Sequence, residues 1–217
     1  AVIPHLCHTP PALGLAYTPP ARGREGHRAT LPDAASEALS IDALVARGVA
    51  IAPGLVGFTA TTLHFEQAAR TARALARALG DVPICLGGPH VNARPEALLD
   101  HPEFDFAVVG EGELTTAEVV RALEVGDDLD PIPGVVLVRG GDLHRAPPRP
   151  LLVDLDELPL PARHLLPIER YLPMPNDQRE LPKTSVISSR GCPFQCIFCD
   201  KGVFGHRFRA FSPGRVV

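Results

Sequence analysis

From Val2 to about Glu124, short aliphatic or β-branched runs alternate with longer amphipathic ones, the pattern of successive βαβ units around a parallel sheet. The pattern predicts strands over Val2–Pro4, Arg28–Pro32, Leu55–Thr59, Pro83–Leu86 and Phe106–Val109. Helices are predicted over Phe65–Leu79, where Ala, Leu and Arg recur at helical spacing, and over Thr115–Val125. Thr18-Pro19-Pro20 falls where the first crossover helix should run, and two prolines remove donors and clash with the preceding turn, so that helix starts late or is damaged. The fold class expected is α/β with a five-stranded parallel sheet.

Beyond this region Gly134–Arg139 and Asp142–Arg145 flank Gly140-Gly141, a hairpin signal. Prolines then crowd together: Pro147, Pro148, Pro150, Pro159, Pro161, Pro167, Pro173, Pro175 and Pro182 mark an extended, semi-rigid connector. Thr184–Ser188 reads as a strand delivering the chain into Ser189-Arg190-Gly191-Cys192. Three units are expected: residues 1–139, a hairpin and linker over 140–182, and the start of another domain over 183–217.

Composition narrows the function classes. With 45% hydrophobic and 21% charged residues in 217, a sizeable core can be buried. A net charge of -4 gives no footprint for a polyanion, although Arg207, Arg209 and Arg215 make the last stretch locally basic, so nucleic acid is not the expected partner. No apolar run approaches the roughly 20 residues that span a bilayer, and the opening residues lack a signal-peptide layout, so a cytoplasmic protein is expected. Two of the five cysteines, Cys7 and Cys85, stand alone and three are crowded, a poor disulfide framework and a better metal-ligand group. The sequence opens on Ala1-Val2-Ile3-Pro4 and closes on Arg215-Val216-Val217 within an apolar pattern, which reads as a portion of a longer chain.

Cys192, Cys196 and Cys199 have three and then two residues between them, on a loop after a predicted strand. One loop can therefore wrap one cluster. A four-iron cubane takes one thiolate per protein-bound iron, and three cysteines leave the fourth iron open. The alternatives are structural zinc, with His206 nominated as fourth ligand, and unremarkable buried thiols; zinc usually takes two separated ligand pairs. The run Ser189-Arg190-Gly191-Cys192-Pro193-Phe194-Gln195-Cys196-Ile197-Phe198-Cys199-Asp200 resembles the cluster loop of the radical S-adenosylmethionine (SAM) superfamily. The resemblance implies a [4Fe–4S] cluster on the three cysteines, SAM on the open iron, and Phe198 near the adenine.

In an open α/β sheet ligands lie beyond the carboxyl ends of the strands. The loops predicted there are Thr9–Gly14, Thr59–Thr62, Gly87–His90 and Gly110–Glu113, rich in Gly, Pro and Thr. Each alone reads as a plain βα turn; together they suit a polar ligand. In order they resemble the cobalamin-binding domain that precedes many radical SAM barrels, with its T-P-P-x-G, G-G-P-H and G-E-G-E elements and the connector Asp154-Leu155-Asp156-Glu157-Leu158-Pro159. The resemblance implies a Rossmann-like (flavodoxin-like) domain, then a Pro-rich linker and the first strand and cluster loop of a truncated radical SAM (β/α) barrel. It places Pro11 and Gly14 toward the corrin ring, Thr59, Thr61, Thr62, Gly87, Gly88, Pro89 and His90 around the nucleotide tail and corrin edge, and Gly110, Glu111, Gly112 and Glu113 at the mouth of the pocket.

The D-x-H-x-x-G motif that supplies an axial His in other cobalamin proteins is absent after the first strand, so base-off cobalamin without a protein His ligand is expected, and His90 reads as a local hydrogen-bonding group. Gly54 stands where an acidic residue commonly precedes the third strand in that family. The resemblance further implies a small-molecule substrate, a reducing electron donor such as flavodoxin or ferredoxin, methyl transfer or oxidative cyclisation as the reaction, and SAM-binding elements beyond Val217. Glu111 and Glu113 read equally as caps for the next helix or as acid–base groups, and Arg207 and Arg209 as contacts to a cofactor carboxylate or as solvated surface.

Overall fold

The computed structural model describes residues 13–18, 27–34, 36–171 and 184–217. The expectations for Val2–Pro4, for Pro11 and for the helix around Pro19-Pro20 fall outside these residues.

A short helix α1 (Leu13–Ala16) precedes α2 (Ile41–Ile51), which starts where the Ser40 hydroxyl accepts from Ala43 N and stops at Ala52 in the left-handed region. Three βα units follow: β1 (Val56–Thr59) and α3 (Phe65–Leu79); β2 (Ile84–Gly87) with the short helices α4 (Pro89–Ala93) and α5 (Ala97–Asp100); β3 (Phe106–Val108) and α6 (Gly112–Val125). The hairpin β4 (Val135–Arg139) and β5 (Asp142–Arg145) comes next. After the connector come β6 (Ser189–Arg190), β7 (Arg209–Ala210) and α7 (Pro213–Val216).

Among the described residues the main sheet has five strands in the order β1-β2-β3-β4-β5, and the α/β class agrees with the sequence pattern. Its membership differs. β1, β2 and β3 are parallel, whereas β4 pairs antiparallel with β3 and β5 antiparallel with β4, giving a mixed sheet. The hairpin assigned to the linker therefore completes the sheet, turning at Gly140 and Gly141, both at positive φ as a tight hairpin turn requires. Arg28–Pro32 is irregular rather than a strand. Pro32 has no N–H for a ladder, and Leu31 instead packs on Ala16, Leu166 and Tyr171. Thr184–Ser188 is also irregular; pairing begins only at Ser189, opposite Ala210.

Side chains alternate across the strands, so both sheet faces are buried. Phe58, Ile84, Leu86, Ala107 and Val136 pack against Ala68, Ala69, Ala72 and Leu75 of α3, whose small residues let the helix approach closely. Cys85, Phe106, Val108, Val135 and Leu137 face Val119 and Ala122 of α6. The connector is pinned by a third cluster, Tyr17, Leu155, Leu158 and Phe211, in which the Tyr17 and Phe211 rings stack at 6.3 Å. No described helix is long and apolar enough to cross a membrane.

Candidate functional site

Three loops follow the parallel strands at their carboxyl ends. Thr59 and Gly87 end β1 and β2 side by side in register, and Ala60 N donates to Gly87 O at 3.2 Å. Gly88 has φ +91, and a Cβ there would strike the Thr59 hydroxyl and lie 3.0 Å from Ala60 N. The two loops therefore touch backbone to backbone, which only glycine allows. The Thr61 hydroxyl meets His64 Nδ1 at 2.7 Å, while Thr62 and Leu63 are largely exposed.

His90 is 6% exposed and stacked on Phe65 with ring centroids 3.9 Å apart; its Nδ1 lies 3.2 Å from the Thr62 hydroxyl and its N–H donates to Ala60 O. Burial, then the charges of Arg94 and His101, hold its pKa below the ordinary 6.5, so the ring is neutral at pH 7. This is the local hydrogen-bonding role expected from sequence. Asn92 joins the second loop to the third: its Nδ2 donates to Gly88 O at 2.9 Å and its Oδ1 accepts from Gly110 N at 2.6 Å.

The third loop departs from the helix-cap reading. The Glu111 and Glu113 carboxylates cap no helix donors; they receive two arginines from the far end of the chain. Arg209, 4% exposed, donates from Nη1 to Glu111 Oε2 and from Nη2 to Glu111 Oε1, both at 2.9 Å. Arg190, 3% exposed, donates to Glu111 Oε1 at 3.2 Å and to Glu113 Oε1 at 2.5 Å. Burial acts to raise the Glu111 pKa, but the Arg209 hydrogen bond, the two arginine charges and the Leu152 N–H outweigh it and hold it below 4.5. Burial opposes charge on Arg190 too, yet Glu113 and Glu111 raise its pKa, so it stays protonated. Arg209 is thus neither surface nor a free cofactor contact, while Arg207 is exposed. Sequence reasoning missed the pairing; the signal was two arginines flanking the cysteines and two glutamates ending a strand.

β6 and β7 hold the two ends of the cysteine loop, with Arg190 opposite Arg209. Gly191 has φ +78, and a Cβ there would collide with the Arg207 carbonyl. Cys192 N donates to Gly205 O at 3.3 Å, and Cys199 N donates to Cys196 O at 3.2 Å, closing a turn. Cys192 is half-buried, and Cys196 and Cys199 are exposed, all as free thiols. Their donor chemistry suits a soft metal or an iron–sulfur cluster, but no group of three metal-ligating side chains comes together among the described residues. Phe194, Ile197 and Phe198 are exposed beside them. Gly14, in α1, is exposed as well.

Other features lie apart from these loops. A cavity of about 660 Å³ sits at the opposite end of β1, bordered by Gly54, Leu55, Arg47 and Glu124, and none of the expected cofactor residues lines it. Cys85 is a core thiol whose pKa burial pushes up to about 11, so it is protonated and inert.

The B12 binding domain model matches residues 5–120. The chain belongs to the B12-binding domain family. It is 37% identical over 96% of its length to an uncharacterized methyltransferase of Pyrococcus horikoshii, covering 45% of that protein. It is 31% identical over 85% of its length to the anaerobic magnesium-protoporphyrin IX monomethyl ester cyclase of Rubrivivax gelatinosus, covering 34% of it. The fold is also that of the radical SAM methyltransferase TsrM from Kitasatospora setae, solved with cobalamin and a [4Fe-4S] cluster bound: TM-score 0.73 at 21% identity, over 99% of this chain and 43% of that one. The chain thus spans less than half the length of these relatives.

Proposed function

We propose that this chain is the cobalamin-binding and cluster-bearing part of a radical SAM enzyme that carries out methyl transfer or oxidative cyclisation on a small molecule. The observation that carries the reading is the clamp of Glu111 and Glu113 on Arg190 and Arg209, which roots the cysteine loop at the same sheet edge as the Thr59–Thr62 and Gly87–His90 loops. Methyltransferase and cyclase names among the relatives agree with it.

In this reading Cys192, Cys196 and Cys199, as thiolates, hold three irons of a [4Fe–4S] cluster, and Phe198 packs on the adenine of SAM. The Gly87-Gly88 backbone, Pro89 and the hydroxyls of Thr59, Thr61 and Thr62 line the cobalamin site, with Pro11 and Gly14 on the corrin side. His90 buttresses that loop from beneath and is not a cobalt ligand. Bound there, the cluster would supply the electron that cleaves SAM, and cobalamin would carry the methyl group or assist ring closure. A flavodoxin- or ferredoxin-type donor would supply electrons. The working division is a cofactor unit of residues 1–139 extended by β5, a linker to 182, and the opening of the catalytic unit from 183.

Anaerobic reconstitution with iron and sulfide tests the cluster: visible absorption with matching iron and sulfide content is expected in the wild type and is lost in Cys196→Ala. An unchanged spectrum in the variant, or zinc in place of iron, overturns it. Equilibrium titration with hydroxocobalamin tests the other cofactor, and no binding at high protein concentration overturns that half.

A further inference from the structure

We propose that Arg190 is a positioning residue that couples the two cofactor sites, so that filling the Thr59–Thr62 and Gly87–His90 loops and holding metal on the cysteine loop favour one another. The proposal rests on the function argued above and concerns how the two sites communicate.

Three parts of the chain meet on Arg190. Its guanidinium carbon lies 5.4 Å from the centre of the Tyr17 ring, one residue after α1, and 5.2 Å from that of Phe204 in the arm returning from the cysteines. Its amino groups bind Glu111 and Glu113 after β3. The next residue, Gly191, is confined against the Arg207 carbonyl, and the one after it is Cys192, so the placement of Arg190 sets where the cysteine loop begins. Arg209, its cross-strand partner on the same Glu111 carboxylate, sets where the loop ends.

From Glu111 the contacts run on without a gap. Gly110 N donates to Asn92, Asn92 donates to Gly88 O, and Gly88 lies against Ala60 between the two loops assigned to cobalamin. A ligand that orders those loops therefore orders the carboxylate that holds both ends of the cysteine loop. The converse follows, because linkage between two sites is reciprocal. Stability alone is a weak reason for such a network. Buried ion pairs seldom outperform apolar packing, and here Nε of Arg190 and of Arg209 is left without an acceptor. What the network supplies is register between elements 77 to 98 residues apart.

The test uses the 217-residue chain reconstituted anaerobically with iron and sulfide. The half-time of iron loss to a chelator is measured with and without saturating hydroxocobalamin. In the wild type hydroxocobalamin should lengthen it about ten-fold, within the usual range of allosteric coupling. In Glu111→Gln the ratio should fall toward one, and in the milder Glu113→Gln, which leaves Arg190 its Glu111 carboxylate, it should fall part of the way. Glu118→Gln, which loosens a different, half-buried arginine, Arg149, should keep the wild-type ratio. The proposal is overturned by a ratio of one in wild type that binds both cofactors, by a wild-type ratio in Glu113→Gln, or by an equal fall in Glu118→Gln. Wild type that takes up no iron or binds no hydroxocobalamin overturns the functional reading instead, so the two failures are told apart.

Discussion

Glu111 and Arg209, 98 residues apart, face each other through two parallel hydrogen bonds of 2.9 Å in the interior of the protein. Removing one partner of a buried pair strands the other. Glu111→Ala leaves Arg209 with only carbonyl acceptors, at a cost of about 3 kcal/mol. For a chain of this size that corresponds to a fall of roughly 6 to 12 °C in Tm. Urea and thermal unfolding of the variant check both figures. The pH dependence has a defined sign. A carboxylate whose folded pKa is depressed contributes stability above its unfolded value of 4.5, and that contribution is lost as pH falls through the folded pKa. Acidification below 4.5 should therefore destabilise the wild type more steeply than Glu111→Ala.

How much of this was legible in the sequence depends on how far apart the interacting residues lie. The strands at Leu55–Thr59, Pro83–Leu86 and Phe106–Val109 and the helix Phe65–Leu79 follow local periodicity, and each is found within a residue or so of its expected limits. Gly140-Gly141 announced a hairpin, but nothing local says that β4 pairs with β3, because that depends on a partner edge provided by Phe106–Val108. Arg28–Pro32 has strand-like residues and lost to tertiary packing of Leu31. At the candidate site, the glycines and hydroxyls of the loops beyond the strands were readable from local sequence. The use of Glu111 was not, since its partners lie 79 and 98 positions away and each alone reads as an ordinary charged residue.

Gly88 has a positive φ and no room for a side chain between β1 and β2. An alanine there must displace the Thr59 hydroxyl or the Ala60 backbone, a strain of about 1–3 kcal/mol placed directly on the loops assigned to cobalamin. Gly88→Ala should weaken hydroxocobalamin binding about ten-fold or more, at the 1.4 kcal/mol per decade of affinity. Iron uptake by the same preparation serves as the control and should persist. Unaltered affinity would remove these loops from the cofactor site.

His90 is neutral and occupied by Phe65 and Thr62, so it has a packing role. The spectrum of bound hydroxocobalamin should accordingly be the same in His90→Gln as in the wild type, whereas a cobalt ligand would change it. Stability supplies a second readout. A histidine with a depressed folded pKa stabilises the fold above its unfolded value of 6.5 and loses that contribution as pH falls toward the folded pKa. Between pH 7 and 5 the unfolding midpoint should fall less in His90→Gln than in the wild type.

Arg149 fastens the proline-rich connector to α6. Its Nε donates to the Thr115 hydroxyl at 2.6 Å, and its amino groups to Glu118 at 3.2 and 2.5 Å. Thr115 is itself fully buried and donates to Pro133 O at 3.0 Å, so the arginine completes a chain of bonds from the connector to the turn before β4. Half-exposed Glu118 is screened by solvent and contributes little; the hydrogen bond to buried Thr115 carries most of the effect. Arg149→Ala should cost about 2 kcal/mol, the value typical of hydrogen bonds from a charged donor. Because the connector would be released before the sheet melts, limited proteolysis should cut within residues 146–171 sooner than in the wild type. Equal cleavage rates at equal unfolding midpoints would show that the connector is held by Leu155, Leu158 and Phe211 alone.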